Sequence, residues 1–121
     1  MNDEVSEFVS ALLHSSTVTH FMHWSTNSYA HHVALGEYYD QVIELTDRFA
    51  EAYMGKYEQL KKFPSEFHTS DKPLEYLEGM KSFVGEARES LPQDTELQNL
   101  IDEIADLINS TIYKKIGRAH V

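Results

Sequence analysis

Histidines and carboxylates are the side chains through which this chain could do chemistry, and they concentrate in its first half. Of seven histidines, five lie between positions 14 and 32. His20 and His23 are three residues apart, so on a helix they are neighbours on one face. Neutral imidazoles together with carboxylates suit first-row divalent metals such as iron, manganese or zinc. The pattern therefore predicts a metal site, which needs helices that hold these residues together.

The predicted second helix adds acids to this set. We place its residues at roughly 100° each, with His32 at zero. Three acids then share an arc between roughly 60° and 100°, beside the apolar stripe of the helix: Asp47, Asp40 and Glu51. An acidic helix face is usually only solvated, so the combination with the histidines, and no single acid, favours metal binding. His14 and His31 are interpreted as structural or surface residues.

Other kinds of chemistry find little support in the sequence. The absence of cysteine excludes disulfides, cysteine-ligated zinc and thiol catalysis. There is no phosphate-binding loop, nucleophile elbow or His-Glu-x-x-His motif. The net charge of −10 argues against binding nucleic acid through a basic face. No apolar run approaches the ~18–20 residues that span a bilayer, and the acidic N-terminus lacks the features of a signal peptide. A cytoplasmic protein with no membrane partner is therefore predicted.

Long segments without helix breakers predict four helices. The first 63 residues contain no proline, and Pro73 and Pro92 mark the boundaries of the third helix. The predicted helices run from about Asp3 to Trp24, from about Tyr29 to Leu60, from about Ser70 or Asp71 to Leu91, and from Thr95 onward. A capping box of Thr95 and Gln98 is expected to start the fourth.

Apolar residues at helical spacing give these helices a buried face. The second helix has an apolar stripe formed by Ala34, Leu35, Tyr38, Val42, Leu45, Phe49 and Tyr53. The fourth helix has an apolar seam formed by Leu97, Ile101, Ile104, Ile108 and Ile112. Four amphipathic helices predict an all-α four-helix bundle, up-down-up-down with one longer connection, as a single domain over residues 1–115. Residues 116–121 do not continue the seam and are interpreted as a non-native tail without functional weight.

Five positions have the spacing of a known motif. They read His20-x11-His32-x3-Gly36-x10-Asp47-x3-Glu51. This resembles the ferroxidase motif of the Dps family of mini-ferritins, His-x11-His-x3-Asp-x10-Asp-x3-Glu, at all positions except Gly36. His23-Trp24 is similar to a His-Trp dipeptide of that family. Residues 23–40 and 53–57 resemble still more closely a group of uncharacterised ferritin-like proteins encoded by tailed phages.

The resemblance implies a ferritin-like fold that binds iron and oxidises or sequesters it. In the Dps family the metal site is shared by two subunits: the two histidines and the first aspartate come from one chain, and the Asp/Glu pair from its twofold mate. The resemblance therefore implies Asp47 and Glu51 as ligands from a second copy, and a closed shell as a larger assembly. A phage-encoded chain would work in the cytoplasm of the host cell.

Two departures from the motif leave alternatives open. Gly36 has no side chain to bind metal, so Asp40, one turn further on, and Glu37, which is adjacent and longer, are the candidate replacements. If neither serves, the site holds one metal or none. The ungapped alignment makes His20 the first ligand, whereas the His-Trp dipeptide points to His23 and needs a three-residue deletion. Both histidines are carried as candidates.

The spacing itself favours a C2 dimer if these residues bind metal. Asp47 and Glu51 lie 11 and 15 residues beyond Gly36, on average roughly 20 Å along a straight helix. One metal centre cannot bridge that span, but an antiparallel second copy brings the distant acids beside the histidines. A metal-free bundle of phage origin, acting as a binding or assembly protein, is the alternative that Gly36 motivates. An acidic decoy for a nucleic-acid-binding protein is a third, suggested by charge alone.

Overall fold

Helices make up most of the described chain. The computed structural model describes the backbone of residues 2–116 and the side chains of residues 2–114. Four α-helices and a terminal π-helical turn lie in this range: α1 (Asn2–Ser25), α2 (Tyr29–Lys56), α3 (Pro73–Ser90), α4 (Thr95–Thr111) and the turn Ile112–Ile116. No strand occurs between residues 2 and 116, so the all-α prediction is confirmed. The rest of the tail predicted at 116–121 lies outside the described residues.

The helices pack as a four-helix bundle in which each helix has two neighbours. α1 lies against α2 and α3, and α4 lies against the same two helices on the other side. The pairs α1–α4 and α2–α3 make no close backbone contact within the described range, so they occupy the diagonals of the bundle. Residues 57–72, which we name the crossover, therefore connect diagonally placed helices. They form the one longer connection that the sequence predicts.

Contacts near the helix ends give the direction of α2 and α4. The Tyr53 hydroxyl, near the end of α2, donates to the Asn2 side chain at the start of α1 at 3.0 Å. Lys56, the last residue of α2, pairs with Glu96 at the start of α4 at 2.8 Å. Both α1 and α4 therefore run antiparallel to α2.

The direction of α3 corrects one part of the predicted topology. Glu4, near the start of α1, lines the same groove as Ser90, the last residue of α3. α3 is therefore antiparallel to α1 and parallel to α2, and the order is up-down-down-up instead of the expected alternation. The reason lies in the crossover, which runs along α1, where Phe67 meets His14 edge-on at 5.0 Å. It thereby returns the chain toward the end of the bundle at which α2 begins.

Buried apolar side chains from all four helices form one core. The stripe predicted on α2 and the seam predicted on α4 both face it through Ala34, Leu35, Tyr38, Val42, Phe49 and Tyr53, and through Leu97, Ile101, Ile104 and Ile108. Leu45 and Ile112 pack against this core and are partly buried. The helical period predicts these faces because burial of apolar surface is the dominant favourable term in folding. None of the described helices combines the length and hydrophobicity that a membrane crossing requires.

The end of α2 and the cap of α4 differ from the sequence-based expectation. α2 ends at Lys56, and Leu60, its predicted end, turns back into the core. Lys56 binds the Asp94 carboxylate at 2.8 Å and holds the pKa of that carboxyl below its usual value. Asp94 is the N-cap residue of α4 without a side-chain capping bond, so the capping box predicted from Thr95 and Gln98 is not formed.

One pair of hydroxyl groups lies inside the core. The oxygens of Ser15 on α1 and Tyr38 on α2 are 2.8 Å apart, and both residues are fully buried. Ser15 donates its only hydroxyl hydrogen to the carbonyl of Leu12 at 2.7 Å, so Tyr38 donates to Ser15. Burial raises the pKa of Tyr38 well above its usual value. The phenol therefore stays protonated in the folded protein at pH values where an unfolded tyrosine ionises.

We expect the Tyr38→Phe substitution to make the protein less sensitive to alkaline pH. Above about pH 10 the unfolded Tyr38 releases a proton that the folded protein keeps, so stability falls as the pH rises, by up to about 1.4 kcal/mol per pH unit for one such group. Urea midpoints at pH 8 and pH 11 measure the change. The Tyr113→Phe variant, which removes an exposed hydroxyl, is the matched control. An unaltered pH dependence in Tyr38→Phe would contradict this assignment.

Candidate metal centre

The junction of α1 and α2 positions two of the predicted site residues side by side. Only residues 26–28 separate the two helices. The side chain of Ser28 caps α2 by accepting a hydrogen bond from the backbone N–H of His31 at 3.2 Å. The last turn of α1 consequently faces the first turn of α2. This arrangement places His23 directly beside His32.

His23 and His32 hold each other through two reciprocal hydrogen bonds, an arrangement that we name the histidine clasp. Nδ1 of His23 donates to the backbone carbonyl of His32 at 2.5 Å, and Nδ1 of His32 donates to the carbonyl of His23 at 2.8 Å. The rings stack with centroids 3.7 Å apart and an angle of 19° between their planes. The His23 carbonyl belongs to the last turn of α1, where helical N–H donors run out. The clasp therefore also closes the end of α1.

The clasp fixes the tautomer of both rings. A carbonyl oxygen can only accept a hydrogen bond, so the proton of each neutral ring lies on Nδ1 and Nε2 keeps a lone pair. Metal-binding histidines commonly donate their other ring N–H to a carbonyl or a carboxylate, which orients the ring. Both rings are half-buried. His23 and His32 therefore each offer one oriented nitrogen as a ligand.

His20 adjoins the clasp but is held in a different way. Its ring stacks on Tyr39, with centroids 3.9 Å apart and planes 11° apart, and lies 4.4 Å from the ring of Trp24. The ring centroids of His20 and His23 are 6.3 Å apart. Aromatic stacking thus orients His20. Of the two candidate registers in the sequence, the structure brings His23, and not His20, against His32.

Gly36 lies directly under the His23 ring. A Cβ atom at this position would be 2.9 Å from Cε1 and 3.1 Å from Nδ1 of that ring. Side-chain carbons essentially never approach other heavy atoms to within 3.0 Å, so any larger residue here must displace the imidazole. The backbone of Gly36 is ordinary helix, without a positive φ. Space, and not conformational freedom, is what the glycine provides.

The four predicted carboxylate ligands do not meet the clasp within one copy of the chain. All four are exposed on α2: Glu37, Asp40, Asp47 and Glu51. Asp47 is fifteen residues beyond His32, roughly 22 Å along a straight helix. Among the described residues, no three side chains of His, Cys, Asp or Glu converge to hold a metal ion. The structure thus gathers the three histidines and leaves the acids apart from them.

Two features of this site escaped prediction. One is the contact between Gly36 and His23, although the spacing of Gly36 from His32 could have indicated it. Gly36 is one helical turn after His32, so a ring stacked on His32 has to pass over position 36. The other is the stack of Tyr39 on His20. Helical spacing places Tyr39 about 20° from His32 on α2 and favours core packing over a place beside a metal centre. The structure leaves it half-buried at the rim of the histidine cluster.

Comparison with known proteins places the chain in a family. Residues 23–114 match the profile of a family of unknown function, DUF5856. The chain belongs to this family. No curated protein and no solved structure matches the chain. The DUF5856 segment includes the clasp, Gly36 and the acids of α2, whereas His20 precedes it.

Within one copy of this DUF5856 chain, the described residues do not form a complete metal site. The clasp supplies two nitrogen donors, but its rings stack with planes only 19° apart, so each nitrogen is directed at a separate ion. Divalent first-row metals in proteins generally take four or more ligands. The nearest acid on the same face, Asp40, is eight residues beyond His32, roughly 12 Å along the helix. Further ligands must therefore come from water or from another molecule.

Proposed function

We propose that this DUF5856 chain is a ferritin-like metal-binding subunit that holds iron between two antiparallel copies and oxidises Fe(II). The histidine clasp carries the proposal, because it orients the Nε2 atoms of both rings at the α1–α2 junction. Asp47 and Glu51 of a second copy complete the ligand set. Asp40 is the alternative carboxylate, since it shares the face of His32. Glu37 is less suited, because it lies roughly 140° round α2 from His32.

Topology and spacing both support this proposal. A four-helix bundle with a single long crossover connection is characteristic of ferritin-like folds, which place metal ligands on facing helices. The crossover at residues 57–72 is a connection of this kind. The spacing of His32, Asp47 and Glu51 resembles the ferroxidase motif of the mini-ferritins.

Exposed apolar side chains along the faces of α1 and α2 that carry His20 and His32 support a second copy as the partner. Leu13 and Trp24 on α1 are 41% and 67% exposed, and Ile43 on α2 is 41% exposed. Each lies within about 40° of helix rotation from His20 or His32. Large apolar groups exposed together on one face are typical of a surface that another molecule covers. A copy packed head to tail on this face covers them and brings its acids to the clasp, which generates two equivalent sites.

Fe(II) enters this proposal as the substrate. Imidazole nitrogen and carboxylate oxygen suit iron, manganese or zinc, and of these Fe(II) is the ion that dioxygen or peroxide oxidises readily. Each Fe(II) gives up one electron, and two electrons with two protons reduce one peroxide to two water molecules. The protein holds the ions in fixed geometry and controls access to them. Nucleic acid is not proposed as a partner, because the net charge is −10.

Aerobic addition of Fe(II), followed by the absorbance of ferric iron, tests this function. We expect the wild type to oxidise Fe(II) roughly tenfold or more faster than buffer, and a His32→Ala/Asp47→Ala double variant to fall to the buffer rate. His68→Ala/Asp71→Ala is the matched control, since both residues are exposed in the crossover. A wild-type rate equal to that of buffer, or a wild-type rate in the His32/Asp47 double variant, would exclude the proposal.

A metal-free bundle that binds or assembles with another protein is the second candidate. Gly36 favours it, because the motif position carries no carboxylate, and so do Trp24 and Tyr29, which are 67% and 80% exposed at the same junction. Elemental analysis of protein prepared with added iron and without chelator discriminates the two, since sub-stoichiometric metal favours this candidate. For either function we propose the cytoplasm, that of the host cell if a phage encodes the chain, because the chain lacks cysteine.

A further inference from the structure

We propose that Gly36 is a positioning residue. Because it has no side chain, the His23 imidazole can lie against α2 in the space where the mini-ferritin motif has an aspartate. We name this placement of the ring its seating. The glycine is then not a lost ligand. Its lack of a side chain allows His23, a nitrogen ligand from α1, to reach the proposed metal site. The seating concerns the metal-free protein, whereas its effect on metal binding rests on the proposed function. One consequence is contrary to the motif: placing aspartate at position 36 should weaken metal binding.

Three contacts define the position of the His23 ring. It stacks on His32 at 3.7 Å and its Nδ1 is bonded to the His32 carbonyl. Position 36 is one turn further along α2, directly beneath the same ring. A Cβ there, 2.9 Å from Cε1, requires the ring to shift from this position. The hydrogen bond of the His32 ring goes to the backbone carbonyl of residue 23 and does not involve the His23 side chain.

Imidazole and carboxylate therefore compete for one space. Gly36→Asp leaves His23 without its seat, and His23→Ala leaves an unfilled space above Gly36. Combining the two substitutions places one carboxylate where the imidazole was, beside an intact His32. We expect the double variant to bind metal better than either single variant, which independent structural damage would not produce.

The stability of alanine variants gives a first test without metal. Replacing glycine by alanine inside a helix normally stabilises the helix. Gly55, on the same helix, has no neighbouring atom within 4 Å of the place that an alanine methyl group would take, so Gly55→Ala is the matched control. We expect Gly55→Ala to raise the melting temperature and Gly36→Ala to lower it. A rise of equal size in both variants would overturn the proposal.

The tautomer of His23 gives a second test without metal. In the wild type, nitrogen NMR of the histidine rings should show the proton of His23 and of His32 on Nδ1. Gly36→Ala should lose this signature at His23 and keep it at His32, whereas Gly55→Ala should keep both. An Nδ1-protonated His23 in Gly36→Ala would overturn the seating.

Titration with Co(II), followed by its visible absorption, tests the ligand role. We expect Gly36→Asp and His23→Ala each to bind Co(II) roughly tenfold or more weakly than the wild type, and the double variant to recover to within roughly threefold of it. Wild-type affinity in Gly36→Asp, or a double variant no better than the single variants, would overturn the proposal. If the wild type binds no Co(II) while the metal-free tests give the expected results, the seating stands and the proposed function fails.

Discussion

The Phe49→Ala substitution is expected to lower the free energy of unfolding by about 3–5 kcal/mol, because it leaves a cavity at the centre of the core. Phe49 on α2 is fully buried and meets Phe8 of α1 edge-on at 5.2 Å. Phe8 in turn stacks on Phe83 of α3 at 6.1 Å. The three rings therefore join three helices. Domains of this size are stable by roughly 5–15 kcal/mol, so this loss is a large fraction of the total. It should lower the melting temperature by roughly 10–25 °C.

Thermal and urea unfolding, followed by far-ultraviolet circular dichroism, measure both quantities. Phe63→Ala is the matched control, because it removes the same atoms from a ring in the crossover that is 55% exposed. It should cost less than about 1 kcal/mol. Equal losses in the two variants would contradict the placement of Phe49 in the core.

The faces of the helices were predictable because burial follows the helical period. The seam residues of α4 from Leu97 to Ile108 recur at steps of four and three, and each of the four is fully buried. On α3, Leu74 shares a helical apolar spacing with Leu77 and Val84, but it lies in the first turn and is 41% exposed. Periodicity identifies the apolar side of a helix, whereas an apolar residue at the rim can stay exposed without penalty to the fold.

The direction of α3 was not predictable from the same pattern. Periodicity gives the buried side of a helix but not the end of the bundle at which the helix begins. α2 has 28 residues and is roughly 42 Å long. The crossover at residues 57–72 can reach roughly 50 Å when extended, so it is long enough to traverse the bundle or to fold at one end. Burial of Leu60 and the contact of Phe67 with His14 decide between these paths.

The sequence indicates which face of α2 carries the candidate ligands, but not which of the candidate side chains contact one another. An advance of 100° per residue places Asp47 and His32 on neighbouring parts of one helix surface. It cannot choose between His20 and His23, because that choice depends on how tightly the junction at residues 26–28 turns. The interpretation of Gly36 also required the structure. In the sequence it is a missing carboxylate, whereas its contact with the His23 ring gives it a steric role.

Mixing two inactive variants is expected to restore Fe(II) oxidation to about a quarter of the wild-type level. His32→Ala removes a ligand from the histidine side of each proposed site, and Asp47→Ala removes one from the acidic side. In the proposed arrangement each site takes its histidines from one copy and its acids from the other. A mixed dimer then contains one intact site and one doubly altered site. Random exchange makes about half of the dimers mixed, which leaves about one site in four intact.

A second mixture distinguishes this shared site from a general effect of mixing. His23→Ala and His32→Ala both alter the histidine side, so no combination of these two variants contains an intact site, and the rate should stay at that of buffer. If all ligands came from one copy, the first mixture would stay at the buffer rate as well. Restored oxidation in the first mixture alone therefore requires histidines and acids from different copies. Restored oxidation in both mixtures, or in neither, would contradict the shared site.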